Sequence, residues 1–325
     1  MKALVYEGVE TLALREVADP VPHAGEHLIR LAASGICGSD MHAYLGHDVR
    51  RPAPLILGHE AAGTVTGGPR DGERVTINPL VTCGTCPACT GGRENLCPER
   101  QIISMPPREG AFAQFVAMPE RNLVTVPEDV PLAKAALAEP LAVSWHAARL
   151  ALAALPGGSD RAVVLGGGAI GLAAALALRA MGVKDVTIAE PNAARRAHLA
   201  DVCGQTVTDT ATQNAPLVID AVGYGATRAA ASALATPGGV IAHVGLGEDA
   251  GGLDIRRMTL QEITFIGTYT YTAKDFRDTA AAIFDGRLGP LDWTEARPLS
   301  GAAEAFADLR AGRVAAPKIM LDPWS

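Results

Sequence analysis

The sequence predicts an α/β protein of two domains, one of them a doubly wound parallel sheet. Three observations carry this. The stretch RAVVLGGGAIGLAAALALRAMGVKDVTIAE, from residue 161, runs strand, glycine turn, helix, glycine stop, strand, acid, the order of a βαβ unit. Strand-like and helix-like segments go on alternating as far as TAKDFRDTAAAIFDG, whose helix is opened by Thr272. The chain has 325 residues, 48% apolar and 19% charged, which is more than one hydrophobic core usually holds.

From the front, MKALVYEGVETLALREV alternates apolar and polar residues and is predicted as strand. It lacks the unbroken apolar run of a signal peptide. No window reads as a membrane span, since the apolar stretch near residue 177 is short and broken by Arg179. The expectation is a cytoplasmic protein whose thiols stay reduced. A net charge of −7 argues against a nucleic-acid or anionic-membrane surface.

TCGTCPACTGGRENLC places Cys83, Cys86, Cys89 and Cys97 in one loop. Thiolates so close together in a reducing compartment are metal ligands more often than disulfides. Two-residue gaps let the backbone wrap one ion, with Gly84, Gly91 and Gly92 making the turns and Pro87 stiffening one. Four sulfurs saturate zinc and leave no open position, so the expected site is structural. The competing reading is a redox-active CxxC pair.

Cys37 in GICGSDMHAY, His59 and Glu60 in LILGHEAAG, and Glu139 in LAEPLAVSWHAARLAL form a mixed donor set that would hold zinc with a position open for a substrate oxygen. Each has a plainer reading: a packed thiol, a hydrogen-bonded histidine, a carboxylate at a helix start.

Gly166, Gly168 and Gly171 fit G-x-G-x-x-G in its full setting, after a short buried strand at 162–165 and before a helix from Ala169 to Ala180 that Gly182 ends. The backbone of Gly166, Gly168, Ala169, Ile170 and Gly171 would approach a pyrophosphate at the positive helix end. Glu190 closes the next strand, where an acid binds the adenosine ribose hydroxyls, which favours NAD over NADP. Arg195 and Arg196 could reach a phosphate or be solvated helix residues. APLVIDAVGYG and GGVIAHVGLG are further strands joined by a helix around 226–235, and EITFIGTYTY is a sixth. The expected sheet order is 3-2-1-4-5-6, with Val222, Gly223, Val244, Gly245 and Leu246 at the strand ends lining the nicotinamide pocket. The remainder should form a helix with Ala303, Phe306 and Leu309 apolar and a closing strand near Lys318–Leu321, folded back on the N-terminal domain.

GICGSD at 35–40, GHEAAG at 58–63, the cysteine loop, EPLAV at 139–143 and GGGAIG at 166–171 together resemble the zinc-containing medium-chain dehydrogenase/reductase family. Glu139 in EPLAV makes the sorbitol dehydrogenase-like branch the nearer match. The resemblance implies a GroES-like, mostly β catalytic domain (1–143 and 286–325) and a Rossmann NAD-binding domain (144–285). It implies two zinc ions per chain: a catalytic one on Cys37, His59, Glu60 and, directly or through water, Glu139, and a structural one on Cys83, Cys86, Cys89 and Cys97. Ser39 matches the hydroxyl that takes the alcohol proton, His42 the end of that relay, and Asp40 an acid orienting His59. Cys203 matches nothing and is expected to be packing.

The implied activity is oxidation of a secondary alcohol, a polyol or diol, to a ketone with NAD, by a homodimer or homotetramer. Threonine, a butanediol or a simple alcohol are alternative substrates, with loop residues around Tyr44 and Ile103 deciding. An alternative of another class is a catalytically silent NAD-binding sensor or scaffold. Departures from the family pattern are a shortened GTVTGGPRDGERV segment and Glu73 where Asp is common.

Overall fold

A computed structural model describes residues 1–325 and divides into two compact units. The first comprises Met1–Glu139, Thr272–Asp285 and Thr294–Ser325; the second comprises Pro140–Tyr271 and Gly286–Trp293.

The first unit is built on a mostly antiparallel sheet. Its order is Leu123–Thr125, Arg74–Ile77, Glu60–Thr66, Glu26–Gly35, Lys318–Asp322, Thr294–Pro298, with Phe115–Pro119 also pairing Glu26–Gly35. Alternation along these strands buries Ile29, Leu31, Val65, Val75 and Ile77 in one core. A second core gathers Tyr44, Phe112 and Phe306. The expected closing strand pairs with the N-terminal part of the unit through Met320↔Gly35 and Leu321↔Ser34.

Three local expectations are corrected here. The N-terminal segment is two strands, Lys2–Gly8 and Thr11–Glu16, because the register slips at Gly8 and Glu10 takes a positive φ of 57°. In the helix Ala302–Arg310, Phe306 is buried and Leu309 packs against the core as expected, but Ala303 is exposed and Ala302 and Ala305 complete the buried face instead. The helix Ala273–Phe284 clusters with the first unit, whereas the sequence reading drew that boundary at 286. Two observations explain the grouping: Glu94, within the cysteine loop, accepts from the Ala273 N–H at 2.5 Å, and Phe276, Ala280 and Ile283 are buried.

The second unit is a six-stranded parallel sheet in the order Thr206–Thr208, Asp185–Ala189, Arg161–Leu165, Ala215–Asp220, Ala235–His243, Thr264–Gly267. Numbered within the unit, this is the expected 3-2-1-4-5-6. The helix Ala169–Ala180 packs Leu172, Ala173 and Leu178 inward and stops before Gly182, at φ 97°. No helix is long and apolar enough to cross a membrane.

Candidate metal centres and dinucleotide cleft

In the cysteine loop, the four sulfurs lie within 4.8 Å of one another. Cys83 Sγ is 3.8 Å from Cys89 Sγ and 3.6 Å from Cys97 Sγ. A tetrahedron with Zn–S near 2.3 Å requires S···S of about 3.8 Å, so the donors fit zinc. Cys83 also accepts from the N–H groups of Thr85 and Cys86. Those backbone donors lower its thiol to about 6, which favours the thiolate a metal needs.

The second cluster brings Cys37, His59 and Glu60 together, their ligand atoms also within 4.8 Å. The sheet and a short helix place them. Cys37 caps the helix Gly38–Tyr44. Glu60 begins the strand Glu60–Thr66, directly opposite Gly35 on the neighbouring strand. Asp40, fully buried, ties the group: Oδ2 accepts from the Cys37 N–H at 2.9 Å and Oδ1 from the Gly58 N–H at 3.2 Å. His59 Nδ1 is 3.5 Å from Asp40 Oδ1, leaving Nε2 for a metal. Burial pushes the Asp40 carboxyl up, but His59, Arg51 and the Cys37 N–H outweigh it and hold it below the usual range. Burial likewise opposes the His59 cation, and Asp40 and Cys37 overcome that opposition.

The donor set fits a divalent cation on a further observation. Glu60 Oε2 is buried with no partner, an arrangement that costs ~1–3 kcal/mol unless something accepts the lone pair. Its space exists because residue 35 is glycine: a Cβ there would sit 2.1 Å from Oε2. Glu139 lies outside the three-residue cluster, buried in the first turn of Ala138–Ala153.

Ser39 is half-buried and His42 exposed, three positions apart and so on one face of the helix Gly38–Tyr44. Arg51, 3% exposed, donates to the Ser39 carbonyl at 3.1 Å and the Ser104 carbonyl at 2.9 Å, which pins the first turn of that helix. The side chains of Tyr44 and Ile103 themselves are core, so any choice of substrate by these loops would fall to their neighbours. The Tyr44 and Phe306 rings meet at 5.2 Å between centroids, tilted by 56°, and Ile103 packs among the sheet residues.

In the second unit the three fingerprint glycines have distinct surroundings. Gly166 has φ 94°, and a Cβ there would meet Val222 at 2.4 Å. Gly171 lies against the Gly166 carbonyl, 1.8 Å from where its Cβ would be. Nothing lies within 4 Å of a Cβ on Gly168, and it heads the helix without a side-chain cap. The Ala169 and Ile170 backbone follows in that open first turn, and its free N–H groups fit a pyrophosphate. Glu190, 4% exposed, accepts from the Gly167 N–H at 2.9 Å and the Asn192 N–H at 2.8 Å, with Arg195 3.5 Å away. Oε1, which accepts only from Asn192, keeps a further lone pair for a ribose hydroxyl, while Oε2 is shared by Gly167 and Arg195. Arg196 is engaged with the carbonyls of Glu190 and Pro191. Val222, Gly223, Val244, Gly245 and Leu246 follow two adjacent strands. Gly223 and Gly245 touch backbone to backbone, and Leu246 is 80% exposed.

Comparison with known proteins agrees over both units. Residues 23–128 match the alcohol dehydrogenase GroES-like domain and residues 169–285 match the zinc-binding dehydrogenase family. L-galactonate-5-dehydrogenase of Escherichia coli K12 is 30% identical over 94% of this chain and 94% of its own. The chain belongs to the zinc-containing medium-chain dehydrogenase/reductase family. Sorbitol dehydrogenase of Bacillus subtilis strain 168 is 38% identical over 58% of this chain and 56% of its own. The NADH complex of an alcohol dehydrogenase from E. coli CFT073 superposes with a TM-score of 0.88, at 26% identity and 99% coverage of both chains.

The sequence reading of this medium-chain dehydrogenase missed Lys318. Its ammonium is buried, 2.6 Å from Glu60 Oε1 and 2.9 Å from the Ile36 carbonyl. The available signal was a lysine inside the apolar run KIML, where a cation is stable only with a partner.

Proposed function

We propose that the protein oxidises a secondary alcohol with a neighbouring hydroxyl, a polyol or sugar acid, to the ketone, with zinc at Cys37, His59 and Glu60 and NAD as hydride acceptor. The convergence of those three donors around the orphaned Glu60 oxygen carries the reading. Zinc, when bound, supplies Lewis acidity toward a hydroxyl. The protein does the rest. Asp40 orients His59. Ser39 takes the hydroxyl proton and His42, exposed on the same helix face, passes it to solvent. Glu139 would help hold the metal, directly or through water. With NAD bound, the alcohol carbon would give up its hydrogen with two electrons, so the overall products would be ketone, NADH and one proton.

NAD is favoured over NADP because Glu190 puts a carboxylate where a 2′-phosphate would lie. The thiol quartet is proposed to hold a second, structural zinc. Cytoplasmic residence fits six free thiols. A homodimer or homotetramer is supported by Ile255 and Leu260, 63% and 65% exposed, which precede the edge strand Thr264–Gly267.

The test is an alcohol panel followed by NADH absorbance, with metal analysis of the same sample and of a Cys37→Ser variant. Two zinc per chain and a polyol or sugar-acid hit are expected, and the folded variant should lose activity. Full turnover by Cys37→Ser removes the assignment. Turnover confined to threonine, a butanediol or a simple alcohol moves the substrate class. No hydride transfer to any compound, with both metals present, favours a silent NAD-binding protein.

A further inference from the structure

The cation nearest the Glu60 carboxylate comes from far along the chain. Lys318 begins the strand Lys318–Asp322, which reaches the site by pairing with Ser34 and Gly35. Its Nζ touches two points of the donor set at once. It donates to Glu60 Oε1 at 2.6 Å and to the carbonyl of Ile36, the residue before Cys37, at 2.9 Å. Residue 318 is 4% exposed, and Glu60 is completely buried. Gly35 closes the other side of the carboxylate, against Oε2. The carboxylate is therefore gripped in one orientation, with Oε1 on the ammonium and Oε2 unpartnered.

We infer that Lys318 is a positioning residue for the metal centre: it fixes the orientation of Glu60 and, as a resident positive charge, weakens the hold of the site on its metal. The inference rests on reading Cys37, His59 and Glu60 as metal ligands. The physical argument has two parts. A carboxylate shared with an ammonium donates less electron density to a metal than a free one, and a partner of a ligand sets its basicity and direction. A lysine and a divalent cation around one carboxylate also repel each other, and in a buried site water screens that repulsion poorly. Charge counting points the same way. Cys37 thiolate, Glu60 and Glu139 carry three negative charges, and all three act electrostatically on Lys318. With a dication present, Lys318 brings this set to neutrality. Without Lys318 an incoming dication meets three negative charges rather than a net two, and is drawn in more strongly.

The experiment measures zinc affinity at the second site of full-length protein whose thiol quartet already holds one zinc. A chelator competition at pH 8 compares wild type with Lys318→Met and Lys318→Gln, the Gln variant keeping a neutral donor if Met fails to fold. Removing the charge should tighten zinc at least tenfold. In a Glu60→Gln background the same change should shift affinity by a clearly smaller factor, since only the direct repulsion remains and the part acting through the carboxylate is gone. Cobalt in place of zinc should keep its thiolate charge-transfer band from Cys37, while the visible ligand-field bands move as Glu60 changes its donation. Unchanged or weaker zinc binding in both lysine variants overturns the inference, as does an equal shift without Glu60. Failure of wild type to take up a second metal would instead remove the reading of the site on which the inference rests.

Discussion

Gly168 and Gly171 sit three residues apart in one turn, yet their environments separate cofactor binding from folding. An alanine at 168 would project its methyl into space empty to 4 Å, and the backbone there, at φ −72° and ψ −171°, suits any residue. The fold should not register the change. A pyrophosphate approaching the uncapped helix start would meet that methyl first. Losing one hydrogen bond to a charged group, worth ~1.5–3 kcal/mol, should weaken NADH roughly 10- to 150-fold. An alanine at 171 faces the reverse situation. Its Cβ would lie 1.8 Å from the Gly166 carbonyl oxygen, in a turn where backbone must move, and overpacking of this kind costs about 1–3 kcal/mol or more. NADH fluorescence titration and urea unfolding, run on both variants, test the division. Gly168→Ala should unfold with the wild-type midpoint and bind poorly; Gly171→Ala should lose stability. If Gly168→Ala binds NADH within threefold of wild type, or if Gly171→Ala is as stable as wild type, the assignment of these glycines is wrong.

Two further perturbations follow. Arg228, 5% exposed, donates to the carbonyls of Gly223 at 2.9 Å, Glu248 at 3.0 Å and Gly251 at 2.6 Å, and also to Ala250. Arg228→Met should loosen the turns at the strand ends and weaken NADH about tenfold, while ADP-ribose, which lacks the nicotinamide, stays within threefold by the same titration; equal losses for both would place Arg228 in general stability alone. Glu73 is held at about 2 by Arg70 and Thr125. A depressed carboxyl stabilises the fold above its ordinary value of 4.5 and loses that contribution as pH falls toward 2. With the side chain 26% exposed, Glu73→Gln should cost ~1 kcal/mol at pH 7 and nothing near pH 2, as read from urea curves at the two pH values.

What the sequence made legible was whatever its neighbours in the chain determine. The glycine fingerprint, its strand and its helix are local, and the parallel sheet followed from repeated alternation. The thiol quartet was legible because its spacing alone encloses an ion. Cys37, His59 and Glu60 could be named from motifs, but their convergence depends on the pairing of Gly35 with Glu60, which no local pattern states. The partner of Lys318 was illegible for the same reason, since it stands 258 residues away, although a lysine beside an apolar run signalled that one must exist. The N-terminal hairpin escaped because a register slip at Gly8 and a positive φ at Glu10 leave the alternation almost intact.

The late arrival of Lys318 also bears on synthesis. Ribosomes add ~5–20 residues per second, so the 258 positions separating Glu60 from Lys318 take roughly 13 to 52 s to emerge. Through that interval the nucleotide-binding half can complete its own sheet, while the nascent first half waits with the edge of Glu26–Gly35 bare where Met320 and Leu321 will dock. A bare strand edge invites pairing with other chains. The protein is therefore most exposed to aggregation before its last strand is made, when holding chaperones would have the most to protect.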